Sequence, residues 1–505
     1  MNLLPSLGCD LDVTDFFCGA GGASSGLRSA GFKVVTAANH WDRAIETHAA
    51  NHPGTEHLTC DINNLDMRRL PPTRVLWASV ICTEISPAGG KRRRPTKGQM
   101  ALMEYGSIND AAFTRTRATA LDVIRATEVH RYDVVVVENV VDFAVTWELF
   151  DWWRTGMHIL GYSSQVISVS SAHVGGPGNE PAPQWRDRIY IVFTRTGVPV
   201  PDLQLRPLAW CEPCGADVEA VQAWRNGRTI GKYKQQYDYR CPNPRCRHAI
   251  VEPYVRPAAA AIDWNDVGQR IGDRTKPLAE STMRKIVSGL AEYADGPSMV
   301  TLNHSDDTGR TYPAHAAPLT TRTVRIGDGV VTPPLLVPVG GTWNETAYPT
   351  TGPLRTLTTR ATTGVLAPAG AFIVELRGGG STHRPITALL ATITATGKDH
   401  GLVIPYRNKT KARPAGEPLH TLSTKDSAGL LQPAPEQHDW TAPVAVDDCY
   451  FRMVSPREQL NGQRFDPAYV VHGNQGEQTM QAGNAVSVNV AHWIGVQIMA
   501  VLGDR

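Results

Sequence analysis

The chain has 505 residues, a length that allows two or three domains with substantial cores. Of these residues 42% are hydrophobic and 19% are charged, as in a globular protein. No apolar run approaches the roughly 20 residues of a transmembrane helix, and the first residues lack the charged start and apolar stretch of a signal peptide. We therefore expect a cytoplasmic protein. The net charge of +2 says nothing about its partners.

In chain order, residues 12–205 alternate short apolar runs with helical patterns. The segments that we predict to be strands are 13–17, 32–38, one that ends at 60–62, 74–80, 132–139 and 188–194. Helical spacing is present in 42–52 and 117–131. The run 134–137 is apolar on both faces, as in a central parallel strand. This alternation predicts a doubly wound α/β sheet.

The composition changes after about residue 205. Residues 206–254 carry clustered cysteines, 278–293 has helical spacing, and 295–433 is rich in Thr, Gly and Pro. A Thr-rich phrase recurs in the last of these regions, at 318–323, 353–360, 390–399 and 418–426. Such recurrence favours one β-rich unit used several times, although chance repetition in a Thr-rich β region is the alternative.

The end of the chain returns to the globular composition of its beginning, with a predicted helix at 485–502. We therefore expect a first domain at 1–205 that is completed by 441–505. An insert at 206–254 and a β-rich region at 255–440 would lie between them.

The first candidate site is DFFCGAGG (15–22), a predicted strand that enters a glycine-rich turn before a helix. Glycines allow a close backbone approach to a cofactor, and a helix N-terminus offers free N–H groups. Trp41 and Asp61 follow neighbouring strands, where they could stack on and hydrogen-bond to an adenine. The alternatives are a turn that only packs a helix, a core tryptophan and a helix cap.

The second candidate site is Cys82, which follows a buried strand and precedes four consecutive positive charges. Its thiol could be a small core group, a metal ligand or a nucleophile. Glu138 and Arg188 lie at the ends of two other predicted strands, so all three side chains could meet at one edge of the sheet. Burial would raise the pKa of Glu138, and neighbouring arginines would favour a thiolate. That combination suits attack on an electron-poor ring.

These segments together resemble the DNA cytosine-5 methyltransferases, in particular their phage and prophage members. The matching segments occur in the family's order: the cofactor loop at 15–22, the nucleophile with Cys82 and Ser86, the base-binding motifs at 138–140 and 184–188, and the C-terminal motifs at 452–465 and 481–491. They cover about half of the chain. The resemblance implies a Rossmann-like sheet of the S-adenosylmethionine-dependent methyltransferase type. It also implies an enzyme that acts on double-stranded DNA in a bacterial or phage-infected cytoplasm.

The resemblance also implies roles for individual residues. Cys82 would attack C6 of a flipped cytosine, Glu138 would hold its N3 and amine edge, Arg188 would contact O2, and Arg186 would lie nearer the phosphate backbone. The residues expected to contact S-adenosylmethionine are Phe17, Gly19, Gly21, His40, Trp41, Asp61, Ile62 and Asn484.

Two departures from the family pattern bear on activity. Val80 and Ile81 replace the usual pair of prolines before the cysteine, and Thr83 replaces the glutamine after it. The loop should therefore be less preorganised. His40 stands where the family has a glutamate for the ribose hydroxyls, and a neutral imidazole accepts only one hydrogen bond.

The basic run after the nucleophile comprises Lys91, Arg92, Arg93 and Arg94. Charge runs are usually solvated faces. Their place after Cys82 favours phosphate contacts instead, together with Ser86.

The clustered cysteines form a Cys-x2-Cys pair, Cys211 and Cys214, and a Cys-x4-Cys pair, Cys241 and Cys246. Four thiolates on two turns suit a closed tetrahedral zinc site, so we predict a structural zinc ribbon. His248 could replace one ligand. Four buried free thiols are the alternative.

The region 255–440 occupies the place of the family's target-recognition domain, and no target sequence follows from it. Three functions are therefore compared. The first is DNA (cytosine-5-)-methylation, the second is transfer of another group to cytosine C5 or action on RNA, and the third is DNA binding with weak catalysis. A monomer is the default expectation.

Overall fold

The computed structural model describes residues 11–80 and 108–261, most of 263–283, separate strands between 298 and 451, and 454–503; within 108–118 it describes the backbone only. The nucleophile segment with Cys82, Ser86 and 91–94 lies outside the described residues, as do most of the predicted helix 278–293 and the recurring Thr-rich phrases. The described chain divides into two compact units. The first unit comprises Met1–Ala182, Arg186–Tyr254 and Gln463–Arg505, and the second comprises Pro183–Trp185 and Val255–Gly462.

The first unit is built on a seven-stranded sheet. Its strands are β1 (Asp12–Phe16), β2 (Lys33–Asn39), β3 (Glu56–Thr59), β4 (Val75–Ala78), β5 (Val134–Asn139), β6 (Tyr162–Ser170) and β7 (Asp187–Arg195). The order is β3-β2-β1-β4-β5-β7-β6. Strands β1 to β5 are parallel, whereas β7 runs antiparallel to both β5 and β6. The start of β7 therefore lies beside the carboxyl end of β5.

Helices cover both faces of this sheet. They are α1 (Gly22–Ser29), α2 (Asp42–Asn51), α3 (Ile108–His130), α4 (Val141–Thr146), α5 (Phe150–Ile159), α7 (Gln475–Asn484) and α8 (Val488–Leu502). Helix α6 (Pro456–Asn461) belongs to the second unit. Alternate residues of β5 enter two different cores: Val135 and Val137 pack with α3, α4 and α5, and Val134 and Val136 pack with α1 and α8. The predicted doubly wound α/β sheet is confirmed.

The last helix, α8, packs directly on α1. Glycines make this approach possible: a Cβ at Gly26 would lie 2.5 Å from the Val488 carbonyl oxygen, and one at Gly22 would lie 2.0 Å from the Val486 carbonyl oxygen. The stretch Gln475–Leu502 is long and apolar enough to count as a membrane span by length and composition, contrary to the sequence expectation, and 61% of its apolar window is buried inside the protein.

The cysteine-bearing insert belongs to the first unit. Its strands are β8 (Leu208–Cys211), β9 (Ala216–Glu219), β10 (Val221–Trp224), β11 (Tyr237–Arg240) and β12 (Ile250–Val251). They form an antiparallel hairpin, β8-β9, and an antiparallel sheet, β10-β11-β12. Its small core joins the cysteines to Tyr237 and Tyr239.

The described part of the second unit is rich in strands. They are β13 (Gln269–Arg270), β14 (Ser298–Thr301), β15 (Thr311–Pro313), β16 (Asp328–Val331), β17 (Leu335–Pro338), β18 (Tyr348–Pro349), β19 (Thr363–Leu366), β20 (Phe372–Arg377), β21 (Gly380–Pro385), β22 (Ile404–Pro405), β23 (Ala428–Leu431) and β24 (Tyr450–Phe451). Helix α6 begins with a capping box in which Ser455 and Glu458 satisfy each other's backbone N–H groups. The expectation of a β-rich region agrees with these strands.

Candidate active site at the carboxyl edge of the sheet

A buried ion pair lies where β5 ends and β7 begins. Arg188 Nε is 3.2 Å from Glu138 Oε1, and their side chains are 11% and 8% exposed. Burial raises the pKa of Glu138 above its ordinary value, while Arg188 and Arg186 act in the opposite direction. The structure therefore brings together two of the predicted site residues, a buried carboxyl group with a raised pKa and a guanidinium that pairs with it.

The strand that leads to Cys82 is tied to the same place. Asn139, next to Glu138 in β5, donates from Nδ2 to the carbonyl oxygen of Val80 at 3.1 Å. Its Oδ1 accepts from the N–H of Val140 at 2.8 Å. Val80 is buried, and Cys82 follows two residues later, outside the described residues. Both polar groups of Asn139 are thus used to hold the start of the nucleophile segment against the end of β5.

Arg186 occupies a different position from the one expected near a DNA backbone. Its side chain is buried, and Nη2 donates to the carbonyl oxygens of Ala485 at 2.6 Å and Gly483 at 3.3 Å. These carbonyls belong to the connection between α7 and α8. The guanidinium therefore connects the residues that precede β7 to the C-terminal segment. It is buried, whereas a DNA phosphate would lie in the solvent.

The glycine-rich turn after β1 has a left-handed backbone at Phe17, Gly19 and Gly21. A Cβ at Gly19 would meet nothing nearer than the Phe17 carbonyl oxygen at 3.9 Å, so this part of the turn is open. A Cβ at Gly21 would instead lie 2.5 Å from the Tyr469 hydroxyl and 3.0 Å from both His48 and His52. Gly19 can accept a close ligand, whereas Gly21 is needed for packing beneath the turn.

The other residues expected at the cofactor follow β2 and β3. His40 is exposed, Trp41 is partly buried, and the Trp41 N–H donates to Asn39 Oδ1 at 3.0 Å. Asp61 caps a short 3-10 turn, with Oδ1 accepting from the N–H of Asn63 at 3.2 Å.

Two further members of that predicted set differ in burial. Ile62 is buried in the core, while Asn484 is exposed at the end of α7. The capping role of Asp61 is the alternative to adenine binding that the sequence left open.

A buried polar network beneath the glycine-rich turn was missed by sequence reasoning. Ser24 Oγ donates to Asp15 Oδ2 at 2.6 Å, His48 Nε2 lies 2.9 Å from Ser24 Oγ, and His48 Nδ1 lies 2.8 Å from His57 Nε2. Because the Ser24 hydroxyl proton goes to Asp15, His48 must donate to Ser24 and accept from His57. Burial raises the pKa of Asp15 to about 7 and keeps the pKa of His48 well below its usual value.

A second branch of this network ends on the C-terminal segment. The hydroxyl of Tyr469 donates to the Ala20 carbonyl oxygen, and the same hydroxyl lies 3.2 Å from His52 Nε2. The other ring nitrogen of His52, Nδ1, is 3.0 Å from Arg28 Nη1. Burial and the Arg28 charge lower the pKa of His52 to about 4. His48 lies in α2 and His52 follows directly after its last residue, and this spacing of four is the sequence signal that could have indicated the network.

The four clustered cysteines meet at one point of the insert. Their sulfur atoms all lie within 4.8 Å of one another, with Cys211–Cys246 and Cys214–Cys241 separations of 3.9 Å. Sulfurs bound tetrahedrally to zinc at about 2.3 Å lie about 3.8 Å apart, so the arrangement fits such an ion.

Groups around the sulfurs favour the same arrangement. The Asn243 N–H lies 3.4 Å from Cys241 Sγ, and an N–H group of this kind stabilises a thiolate. His248, the alternative ligand, has its Nδ1 3.1 Å from the Cys241 carbonyl oxygen. Among the described residues, these four sulfur atoms form the group that could hold a metal ion.

Part of the sequence is similar to proteins of known family. Residues 11–209 match the family described as C-5 cytosine-specific DNA methylase. The type II methyltransferase M.AgeI of Thalassovita gelatinovora is 25% identical over 201 residues, which are 37% of this chain and 40% of that protein. The chain thus spans well under half of the length of this curated relative.

A search of solved structures finds two further matches, both of low similarity. DNMT2 of Spodoptera frugiperda is 12% identical, with a TM-score of 0.47 over 97% of this chain and 99% of that chain. The Dnmt2 methyltransferase of S. pombe is 11% identical, with a TM-score of 0.44 over 97% and 98%. The family match thus covers residues 11–209, which is less than half of the 505-residue chain.

Proposed function

We propose that the chain is a DNA (cytosine-5-)-methyltransferase that transfers the methyl group of S-adenosylmethionine to C5 of a flipped cytosine through a covalent Cys82 adduct. The observation that carries this proposal is the buried Glu138–Arg188 pair, beside which Asn139 holds the strand that leads to Cys82. A carboxyl group, a guanidinium and the approach to a thiol converge at the edge of the sheet where α/β proteins bind ligands.

Glu138 would recognise the edge of the base. One carboxyl oxygen of Glu138 would share a proton with cytosine N3, and the other would accept from the exocyclic amine; burial raises the pKa of Glu138, which favours this role. Arg188 would use its remaining N–H groups for the O2 atom. Protonation at N3 withdraws electrons from the ring and makes C6 a better electrophile.

Cys82 would act as the nucleophile. Its thiolate forms a bond to C6, and the C5–C6 π electrons move so that C5 becomes nucleophilic. C5 would gain the methyl group as the S–CH3 bond of the sulfonium donor breaks and leaves a thioether. A base would then take the C5 proton, the C5–C6 double bond would re-form as the C6–S bond breaks to release the thiolate, and N3 would return its proton to Glu138. The base cannot be reached inside a duplex, so it must first leave the stack.

S-adenosylmethionine fits the residues at the ends of β1, β2 and β3. Gly19 leaves open space on a turn whose following helix, α1, offers N–H groups, and Trp41 is partly exposed for stacking. When bound, this cofactor would supply an electrophilic methyl carbon. His40 is exposed where it could accept a ribose hydroxyl proton. Asp61, Ile62, Phe17 and Asn484 remain proposed contacts.

Double-stranded DNA is the proposed partner. Ser86 and the basic residues Lys91, Arg92, Arg93 and Arg94 would contact its phosphates, and the second unit would read the target. We propose a cytoplasmic monomer. The four cysteines of the insert would hold one structural zinc ion, since four thiolates leave no open position for catalysis.

The direct test is incubation of the purified protein with duplex DNA and methyl-labelled S-adenosylmethionine, followed by mass spectrometry of the nucleosides. We expect labelled 5-methylcytosine from the wild type and none from Cys82→Ser, which should still bind DNA. A different modified cytosine would show that another group is transferred to C5. DNA that is bound but not modified would indicate a DNA-binding protein without this activity. A duplex with 5-fluorocytosine should become covalently trapped on Cys82, and failure of trapping would contradict the assigned nucleophile.

A further inference from the structure

A short segment of the cysteine-bearing insert, residues 230–233, lies against the sheet near the Glu138–Arg188 pair; we call it the bracket. Its polar contacts with the sheet and its helices are Gly231 N with Ser168 Oγ at 3.3 Å, Lys232 Nζ with Asp142 Oδ2 at 3.1 Å, and Tyr233 N with Asp187 Oδ1 at 3.2 Å. Ile230 also packs on the core formed with α3, α4 and α5. The bracket therefore contacts β6, α4 and β7 at once.

Two partners of the bracket adjoin the ion pair in sequence. Asp187 directly precedes Arg188 in β7, and Asp142 lies in the first turn of α4, the helix that follows Glu138 and Asn139. Side chains alternate along a strand, so Asp187 and Arg188 leave β7 on opposite faces. The bracket holds one face of the strand end whose other face presents Arg188 to Glu138.

The contact at Asp187 is partly buried. Burial raises the pKa of this carboxyl group to about 6, and the Tyr233 N–H, Lys232 and Arg188 act against that rise. Two of these three stabilising groups belong to the bracket. Without them the Asp187 carboxylate would lose the hydrogen bond from the Tyr233 N–H and the neighbouring positive charge of Lys232.

The bracket is in turn connected to the cysteines. The Tyr233 ring lies 5.7 Å from that of Tyr239, and the Lys232 N–H donates to Gln236 Oε1 at 2.7 Å. Tyr237 and Tyr239 belong to β11, which leads into Cys241. Both tyrosines share the insert's core with the cysteines. One continuous set of contacts thus runs from the four sulfurs to the start of β7.

We propose that the insert is a positioning element for the base-binding end of the active site, in which the bracket fixes Glu138 and Arg188 through Asp187 and Asp142. This inference rests on the proposed function for its meaning in catalysis. Asp187 and Lys232 are positioning residues, because they act on the base through Arg188 and through the turn after Glu138. A purely structural insert would stabilise the fold without affecting this pair.

The test compares three variants of the full-length, zinc-loaded protein. Asp187→Ala removes the acceptor for the Tyr233 N–H, whereas Asp187→Asn keeps an amide oxygen in the same place. Asp217→Ala is the matched control, since this carboxylate of the insert accepts from the Tyr254 hydroxyl and makes its bond within the insert. Steady-state methyl transfer to duplex DNA gives kcat and KM, and amide hydrogen exchange reports on residues 138–142 and 186–190.

We expect Asp187→Ala to lower kcat by about 10-fold or more with little change in KM, because a small displacement of positioned groups has such an effect. Exchange at 138–142 should become faster by a similar factor, and Asp187→Asn should restore most of both. The control should match the wild type.

An Asp187→Ala protein with wild-type kcat and wild-type exchange at 138–142 would overturn the inference. If its melting temperature is also lower than that of the wild type, the contact is merely structural. If the wild type forms no methylated product, the proposed function fails, and the exchange comparison alone decides whether the bracket controls the Glu138–Arg188 pair.

Discussion

Replacing Arg186 by methionine tests whether this arginine holds the C-terminal segment or contacts DNA. The substitution keeps much of the side chain's length but removes the donor to the carbonyl oxygens of Ala485, at 2.6 Å, and Gly483, at 3.3 Å. A hydrogen bond to a charged group contributes about 1.5–3 kcal/mol, and the two carbonyls would remain buried without this partner. We expect the free energy of unfolding to fall by about 3 kcal/mol.

The assay is urea-induced unfolding followed by circular dichroism, with Arg68→Met as an exposed control that should leave the midpoint unchanged. Arg186→Lys should be intermediate, because one ammonium group cannot match the planar fork. DNA affinity should keep its dependence on salt concentration in Arg186→Met, whereas loss of a phosphate contact would reduce the slope by about 1. A reduced slope, or a stability within about 0.5 kcal/mol of the wild type, would refute the structural role.

Further predictions concern the nucleophile segment, acid stability and the metal. Asn139→Ala should cost about 2–4 kcal/mol by leaving the Val80 carbonyl and the Val140 N–H unpaired, and it should slow trapping on 5-fluorocytosine; unchanged trapping would contradict the role of Asn139. The pKa of His52 is about 4, below its ordinary value of 6.5, so the unfolded chain takes up a proton first as the pH falls. His52 should therefore lower the free energy of unfolding by roughly 3 kcal/mol between pH 7 and pH 4, measured by urea unfolding, and a His52→Gln protein with the same pH dependence would contradict this. Elemental analysis should find zinc in the wild type and in Cys60→Ser but not in Cys211→Ser, and a wild type without zinc would remove the ribbon hypothesis.

Much of the first unit's sheet could be predicted because burial leaves a clear pattern. The all-apolar run in β5 and the polar residues at its end indicated both a central strand and the position of Glu138. Strand β6 was missed, since Tyr162–Ser170 mixes serines and a glutamine with its apolar residues. The reversed direction of β7 was also missed, because periodicity carries no information on strand direction.

The contacts that organise the site depend on residues far apart in the chain, which no local pattern encodes. Arg186 is in a family motif, but its partners at 483 and 485 are known only from the fold. The link between Asp187 and Tyr233 likewise joins two segments with no shared periodicity. The cysteine cluster was predictable for the opposite reason, since ligand spacing within each short turn is a local property.

The packing of α8 on α1 has a consequence for synthesis on the ribosome. Helix α1 begins at Gly22, but the helix that covers it begins at Val488. At about 5–20 residues per second, roughly 20 to 90 s pass between the emergence of the two. During that time the apolar side of α1 waits in the nascent chain, so chaperones that bind exposed apolar surface should meet this protein while it is still being translated.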